Sequence, residues 1–344
     1  MKRVSNKILA SAAALFAGGV IAAGSANAQS LGGFPIHEPG AKSSQSSNAK
    51  QTKKGPLQIV VDVNGRGPYK TIGAALRDIA EGGEIHVMHG DYNEAINLTK
   101  TVYIRGDRGP GRGVNINAPM NSPCLTFAPK DPTDHAVVAN VRFSAKINSP
   151  HSCVDVEQGV FTLKESDVFG SGVRPAVNIA GGMVMLDKNR ISAGSEGVRV
   201  EQAHSLSQTV ITDNKILQNK IGVDVASGSN SDVLISGNEI FDNLDSGIKS
   251  SGYGSTKMIG NKINNNKGSG VILDKHAKLT LVRYNEIVSN TGDGVAIPFG
   301  VNGVIEDNEI VGNEGLSIFV REGYEPKIIN NHVANNAGDK KKKK

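Results

Sequence analysis

The stretch that decides the fold is Ile235–Leu273, ISGNEIFDNLDSGIKSSGYGSTKMIGNKINNNKGSGVIL, because it contains two copies of one short pattern. Each copy has an Asn followed two residues later by Ile, a second Asn five residues after the first, and then Gly before an aliphatic residue. The first Asn recurs at intervals of 23–25 residues, at Asn189, Asn214, Asn238, Asn261, Asn285, Asn308 and Asn331. The second recurs at Asn219, Asn243, Asn266, Asn290, Asn313 and Asn336. A fixed period over seven copies is typical of a repeat protein in which each copy is one structural unit.

Aliphatic residues flank the first Asn of every copy and predict short strands. One lies three residues before it, as in Ile235, and another two residues after it, as in Ile240. Alternation along a strand sends both to one face, so stacked copies would form continuous apolar columns. Asn tolerates left-handed backbone at turns, and its amide would bond to the Asn of the next coil, about 4.8 Å away. The sequence therefore predicts an all-β, single-stranded, right-handed parallel β-helix of about ten coils of 23–25 residues.

An amphipathic segment precedes the repeats. Ile72, Leu76 and Ile79 have helical spacing, which predicts a short helix over residues 71–80. We expect this helix to cap the N-terminal end of the β-helix, where exposed strand edges would otherwise pair with other chains.

The pattern Gly67-x-Tyr69-x-Thr71-Ile72-x-x-Ala75-Leu76 resembles the N-terminal segment of pectin-methylesterase-type and other pectin-lyase-like β-helix proteins. The Asn-x-Ile coils resemble the β-helix repeats of carbohydrate-binding and sugar-hydrolase-like domains, and together the two cover about residues 57–336. The resemblance implies carbohydrate binding on an outer face. It also implies that a lyase of this kind would use Arg or Lys as its base, for which Arg199 and Lys249 are the candidates. The catalytic motifs of pectin methylesterases, polygalacturonases and mannuronan epimerases are absent from the sequence, so no catalytic residue is assigned and no cofactor or metal is expected.

The chain divides into four segments. Lys2, Arg3 and Lys7 precede an apolar stretch, and Ala26-Asn27-Ala28 fits a signal-peptidase site, so residues 1–28 are predicted to be a secretory signal peptide with Gln29 as the mature N-terminus. Residues 29–56 are predicted to be a disordered basic linker, residues 57–339 the β-helix domain and residues 340–344 an unstructured poly-Lys tail. These assignments predict a periplasmic or secreted protein without a transmembrane segment.

The charge distribution argues against a nucleic-acid partner. The net charge of +5 comes from the signal peptide, the linker and the terminal lysines, which leaves the predicted β-helix domain acidic. The absence of Trp removes the usual stacking platform for neutral sugars, although Tyr253, Tyr284, Phe299 and Tyr324 remain.

One outward-facing column carries the candidate binding residues. The residue after the first inward position of each Gly-initiated strand points outward, and the middle of this column is polar at Asp155, Asn178, Arg199, Asp224 and Lys249. These positions would stand about 4.8 Å apart. A groove lined by Arg or Lys alternating with Asp could hold an extended acidic polysaccharide, with the cations pairing with its carboxylates. The alternative is a solvent-exposed face whose charges neutralise each other.

The same column ends in Ile272, Ala296 and Phe319. Apolar residues exposed on three successive coils predict an interface with another protein, such as an envelope protein. The alternative is that a loop covers them.

The two cysteines align at the opening of successive strands. Stacking Cys124-Leu125-Thr126 on Cys153-Val154-Asp155 would bring their Cα atoms into the range of a disulfide, and an exported protein meets an oxidising compartment. We therefore predict a Cys124–Cys153 disulfide.

Three functional hypotheses follow. The leading one is an exported protein that binds an extended, acidic polysaccharide of the envelope or extracellular matrix. The second is a polysaccharide lyase, epimerase or esterase, and the third is a structural or adhesion rod that binds an envelope protein.

Overall fold

The computed structural model describes residues 55–107, 113–201, 207–228, 231–277, 279–299, 301 and 303–341. The predicted signal peptide and nearly all of the predicted linker lie outside these residues. Within them the chain is a right-handed parallel β-helix of about 11 turns with almost no α-helix, as the repeat predicts. In the part of the chain so described, no helix is both long and apolar enough to cross a membrane.

Three parallel sheets run the length of the β-helix, and each complete coil contributes one strand to each. The first sheet consists of Gln58–Val61, Gly83–Val87, Val102–Gly106, His135–Ala139, Val160–Lys164, Met183–Asp187, Ser207–Thr212, Ser231–Ser236, Ser255–Ile259, Thr280–Arg283, Val304–Glu306 and Lys327–Ile329. The second consists of Gly90–Tyr92, Val114–Asn117, Arg142–Ser144, Asp167–Phe169, Arg190–Ser192, Lys215–Leu217, Glu239–Phe241, Lys262–Asn264, Glu286–Val288, Glu309–Val311 and His332–Ala334. The third consists of Ile96–Leu98, Leu125–Phe127, Val154–Val156, Val177–Ile179, Glu196–Val200, Ile221–Val225, Ile248–Ser250, Val271–Leu273, Val295–Ile297 and Ile318–Val320.

The predicted apolar columns form the core. Ile235 and Ile240, on either side of Asn238, are both fully buried, and their equivalents stack above and below them. At the C-terminal coil Ile328 and Val333 occupy the same positions but are 45% and 46% exposed.

The predicted capping helix is present as α1, Ile72–Asp78, with Ile72 and Ala75 buried. The Thr71 side chain accepts a hydrogen bond from the backbone N–H of Ala74, as an N-cap does. The Glu94 carboxylate accepts two more, from the backbone N–H groups of Ile72 and Gly73, each at 2.8 Å. The first turn of α1 is therefore tied to the following coil.

The C-terminus differs from the prediction. Ala337–Lys341 form a second short helix, α2, which includes Lys340 and Lys341 of the tail that was expected to be unstructured. The Asp339 carboxylate accepts a hydrogen bond from the backbone N–H of Ser317, which ties the helix to the preceding coil.

The Asn residues form the predicted ladders, and the side chains point inward. In a typical step, the backbone N–H and the Nδ2 of Asn238 both donate to the Oδ1 of Asn261, each at 3.0 Å. The expectation that these Asn residues adopt left-handed backbone is wrong. The residue just before each one has the positive φ instead, for example Asp213 at 53° and Asp242 at 54°. This preceding residue makes the bend, and the bend directs the Asn side chain into the buried interior.

The Gly that opens third-sheet strands is required by close packing. A Cβ on Gly247 would lie 2.5 Å from Cγ2 of Ile263 and 2.7 Å from the carbonyl oxygen of Gly270. Both atoms belong to the next coil, so a side chain at this position would push the coils apart.

The Cys124–Cys153 disulfide is present as predicted, with the two Cα atoms 4.8 Å apart. It joins successive coils at the start of two third-sheet strands, and both cysteines are fully buried.

Candidate functional site

The predicted outward column lies on the outer face of the third sheet. Strand pairing places its residues in one continuous register, each beside the equivalent residue of the next coil. In order they are Thr126, Asp155, Asn178, Arg199, Asp224, Lys249, Ile272, Ala296 and Phe319. We call Asp155 to Lys249 the polar column, and Ile272, Ala296 and Phe319 the apolar end.

Arg199 is surrounded by three carboxylates. Its Nε lies 2.6 Å from Oε1 of Glu201, and its Nη1 lies 3.3 Å from Oδ2 of Asp224 and 3.6 Å from Oε1 of Glu196. These contacts saturate the charge of the guanidinium. A sugar carboxylate that approached Arg199 would have to displace one of them and would meet the repulsion of the other two.

The other members of the polar column are also paired. Nζ of Lys249 lies 3.5 Å from Oδ2 of Asp274, and Nδ2 of Asn178 donates to Oδ1 of Asp155 at 2.9 Å. Carboxylates therefore outnumber cations on this part of the face.

Asp224 is the most perturbed group of the column. It is only 7% exposed, and its Oδ1 is buried without a hydrogen-bond partner among the described residues. Burial raises the pKa of Asp224 above the ordinary value of an aspartate, and the positive charges of Arg199 and Lys249 offset that effect only in part. A buried carboxyl that stays protonated to a higher pH than usual can act as a proton donor.

Sequence reasoning missed Glu196 and Glu201 as neighbours of Arg199. Alternation along a strand could have found Glu201, which lies two residues after Arg199 and so faces outward with it. Glu196 opens the same strand, three residues before Arg199.

The apolar end is less exposed than predicted. Ala296 is only 7% exposed because the larger side chains of Ile272 and Phe319 stand directly beside it on the neighbouring strands. The three residues form a shallow apolar floor rather than a raised patch. Their role as a protein interface stays a prediction.

Four successive loops beside this floor each carry an aromatic or imidazole ring. Each loop connects a third-sheet strand to the next first-sheet strand. The rings belong to Tyr253, His276, Phe299 and Tyr324, and we call this group the aromatic corner. Tyr253, Phe299 and Tyr324 are 56%, 39% and 42% exposed.

The rings of Tyr253 and His276 are stacked, with their centroids 4.0 Å apart, and the Tyr253 hydroxyl and Nε2 of His276 are hydrogen-bonded at 3.0 Å. Tyr284, which sequence analysis grouped with the other exposed rings, lies at a different corner under Arg283. His276 was not predicted to belong to the group. Its distance of 23 residues from both Tyr253 and Phe299 is the signal that could have revealed it.

Within the described ranges no group of three or more His, Cys, Asp and Glu side chains is arranged to hold a metal ion. Along the polar column this face presents carboxylates, amides and two cations. Towards the C-terminus it presents apolar and aromatic side chains.

A right-handed parallel β-helix with a long, regular outer sheet face defines the class of this protein. The chain belongs to the right-handed β-helix family, because the family model described as "Right handed beta helix region" matches residues 152–297 and 250–340. The match does not reach the N-terminal segment that resembles pectin methylesterases, so that part of the resemblance is not confirmed. No curated protein matches the sequence.

Solved structures share the fold at low sequence identity. The A-module of a mannuronan C-5 epimerase from Azotobacter vinelandii is 16% identical with a TM-score of 0.55, over 74% of this chain and 87% of that chain. ORF18 of Geobacillus virus E2 is 12% identical with a TM-score of 0.59, over 80% of this chain and 62% of that chain. The catalytic domain of a GH87 α-1,3-glucanase, in complex with tetrasaccharides, is 13% identical with a TM-score of 0.50, over 85% and 67%.

Proposed function

We propose that this protein is exported and binds an extended polysaccharide along the outer face of the third sheet. The observation that carries the proposal is the unbroken register of that face. A sugar chain lying parallel to the helix axis would meet an equivalent side-chain position about every 4.8 Å, which is close to the advance of one sugar unit.

The comparisons support carbohydrate as the class of ligand. The epimerase is named for mannuronan, and the glucanase domain binds tetrasaccharides. At the identities observed these similarities concern the fold. The contacts with a glycan are therefore argued from this chain's own residues.

The polar column suits sugar hydroxyls better than sugar carboxylates. Arg199 and Lys249 are already paired with Glu201, Asp224 and Asp274, whereas carboxylate and amide groups accept hydrogen bonds from hydroxyls. The acidic polymer expected from sequence therefore needs cations elsewhere on the face.

A blocking substitution tests the binding face. Asn178→Trp places a large ring in the middle of the polar column, and Lys262→Trp places the same ring on the second sheet, where Lys262 is exposed. On a panel of neutral and acidic polysaccharides, we expect Asn178→Trp to weaken binding at least tenfold and Lys262→Trp to leave it unchanged. Absence of binding to every polysaccharide, or equal weakening by both variants, would refute the proposal.

Asp224 favours a second candidate function, a polysaccharide-processing enzyme. Oδ2 of Asp224 and Oε1 of Glu196 both lie within 3.6 Å of Nη1 of Arg199, so they are no more than about 7 Å apart, within the range of carboxyl pairs in glycosidases. Asp224 has the raised pKa that a general acid needs. Reducing-end and unsaturated-uronate assays on polysaccharides that bind should then detect products that Asp224→Asn abolishes. Binding without product formation would leave the protein a binder.

Export is tested on the mature protein. If residues 1–28 are a signal peptide, mass spectrometry of the protein from the periplasm or medium should find Gln29 as its first residue. The intact N-terminus in the cytosol would contradict the proposed export.

A further inference from the structure

Two cations lie beside the Phe299 ring of the aromatic corner. Nζ of Lys275 lies 5.3 Å from the centroid of the Phe299 ring, and Cζ of Arg321 lies 5.7 Å from the same centroid. All three side chains are exposed. In the described part of the chain, neither cation forms an ion pair. Arg321 forms none there even with Glu322 or Glu325, which follow it in sequence.

The arrangement has the same spacing as the polar column. Arg199 and Lys249 lie two coils apart with Asp224 between them, and Lys275 and Arg321 lie two coils apart with Phe299 between them. In the first group the middle residue is a carboxylate that pairs with Arg199, and Lys249 pairs with another carboxylate, Asp274. In the second it is a phenyl ring, whose face attracts cations without cancelling their charge.

We propose that Lys275, Phe299 and Arg321 form a subsite for acidic sugars within the polysaccharide-binding face, which rests on the proposed function above. Two coils span about 9.6 Å along the axis. A sugar chain parallel to the axis that passes over Phe299 therefore presents the acid groups of alternate units to Lys275 and to Arg321. The exposed Phe299 ring packs against the apolar C–H face of the unit between them.

The adjoining surface extends the subsite. On the side of the N-terminus, the stacked rings of Tyr253 and His276 continue the aromatic surface across the two preceding coils. Beside it lies the apolar floor of Ile272, Ala296 and Phe319. This floor carries no charge that would compete with a sugar carboxylate.

The test measures affinity for two forms of the same polymers. Oligomers of polygalacturonate, alginate and hyaluronan are compared with the same oligomers after reduction of their carboxyl groups to alcohols, by calorimetry at low and at high salt. The Lys275→Ala/Arg321→Ala double variant is compared with Lys215→Ala/Lys262→Ala. The control pair removes the same net charge from the second sheet.

We expect wild-type protein to prefer at least one acidic oligomer to its reduced form and to lose that preference at high salt. The Lys275→Ala/Arg321→Ala variant should bind that acidic oligomer at least tenfold more weakly and the reduced oligomer unchanged. Phe299→Ala should weaken binding of both forms, because it removes the stacking surface but neither cation. The Lys215→Ala/Lys262→Ala variant should behave as wild type.

The outcomes separate the two proposals. Equal affinity of wild-type protein for both forms, or an unchanged preference in the Lys275→Ala/Arg321→Ala variant, overturns the subsite and leaves glycan binding standing. Failure to bind either form of any polymer overturns the proposed function and the subsite with it. Poly-glutamate that binds as tightly as the uronates, with the same loss in the double variant, overturns the assignment to sugars.

Discussion

Replacing Asn266 by Ala should test whether the Asn ladder stabilises the β-helix. Asn266 is fully buried. Its Oδ1 accepts from the backbone N–H of Asn243 at 3.1 Å and from Nδ2 of Asn243 at 2.9 Å. Its own Nδ2 donates to the carbonyl oxygen of Ile240 at 3.1 Å and to Oδ1 of Asn290 at 2.9 Å.

Asn266→Ala removes the acceptor of the Asn243 N–H and a donor to the Ile240 carbonyl. The Asn243 N–H stays buried without that acceptor, and an orphaned buried polar group costs about 1–3 kcal/mol. The Ile240 carbonyl remains within the paired second sheet. We therefore expect a loss of about 1–3 kcal/mol in the free energy of unfolding. Asn264→Ala is the matched control, because Asn264 is two residues away on the outer side of the second sheet. A surface change of that kind should cost no more than about 0.5 kcal/mol.

The measurement must be local as well as global, because coils contact only their neighbours and unfolding of a long array need not be two-state. Urea denaturation gives the overall loss, and native-state hydrogen exchange gives the protection of the Asn243 amide. We expect that amide to exchange much faster in Asn266→Ala than in Asn264→Ala. Equal stability and equal exchange in the two variants would refute the reasoning that the ladder contributes net free energy.

Three further perturbations probe other parts of the molecule. Cys124→Ala/Cys153→Ala opens a loop with a sequence separation of 29. Chain entropy predicts that the free energy of unfolding, measured by urea denaturation, falls by about 3.6 kcal/mol. A variant as stable as oxidised wild type would contradict this. Glu94→Ala removes both oxygens that accept from the Ile72 and Gly73 N–H groups, and it should cost about 1–2 kcal/mol, with faster hydrogen exchange in α1. Glu94→Gln keeps only one of the two acceptor oxygens and should give an intermediate loss. Normal exchange in Glu94→Ala would count against this. The pKa of Asp224 is higher in the folded than in the unfolded chain. Wild type should therefore lose stability relative to Asp224→Asn as the pH rises from below 3.8 through the raised folded-state pKa. A gain in stability over that range would show that ion pairing with Arg199 outweighs burial.

The repeat fixed in advance which residues are vertical neighbours, and this explains what could be predicted. The register from Asp155 to Lys249 follows once each repeat is read as one coil. The Cys124–Cys153 pair, with a separation of 29, followed from the alignment of the two strands that the cysteines open. Charge pairing along a strand did not follow. The contact of Arg199 with Glu201 depends on side-chain rotamers, which the period does not encode.

The backbone of the turns also lay beyond the sequence pattern. Positive φ occurs at Lys188, Asp213, Gly237, Gly260 and Tyr284, which share a position but not a residue type. The positive φ at this position is maintained by the next residue, the ladder Asn, because its buried hydrogen bonds stabilise the turn. Residue preference at a turn is thus overridden by the bonds that the turn makes.

The outer face of the first sheet shows a second feature that sequence reasoning missed. The outward position four residues before the ladder Asn is apolar in five of the seven coils and is Lys257 or Lys327 in the other two. The apolar members are Met185, Val210, Leu234, Leu281 and Val304. A strand such as Val233-Leu234-Ile235 is therefore apolar without interruption. Such runs are typical of parallel strands that are covered on both faces.

The corners of the coil explain why the candidate site lies where it does. Two of the three corners carry the Asn ladders. Between the first and second sheets, two residues join the strands in every ladder coil, as between Asp187 and Arg190. Between the second and third sheets the turn varies, from three residues after Leu217 to six after Phe241. The third, between the third and the first sheet, has no ladder: three residues separate Ile179 from Met183, and six separate Leu273 from Thr280. The exposed rings of the aromatic corner, and the cations beside Phe299, lie on four successive loops at this corner. Substitutions in these loops should therefore change ligand binding with little loss of stability, whereas substitutions at the ladder corners should do the reverse.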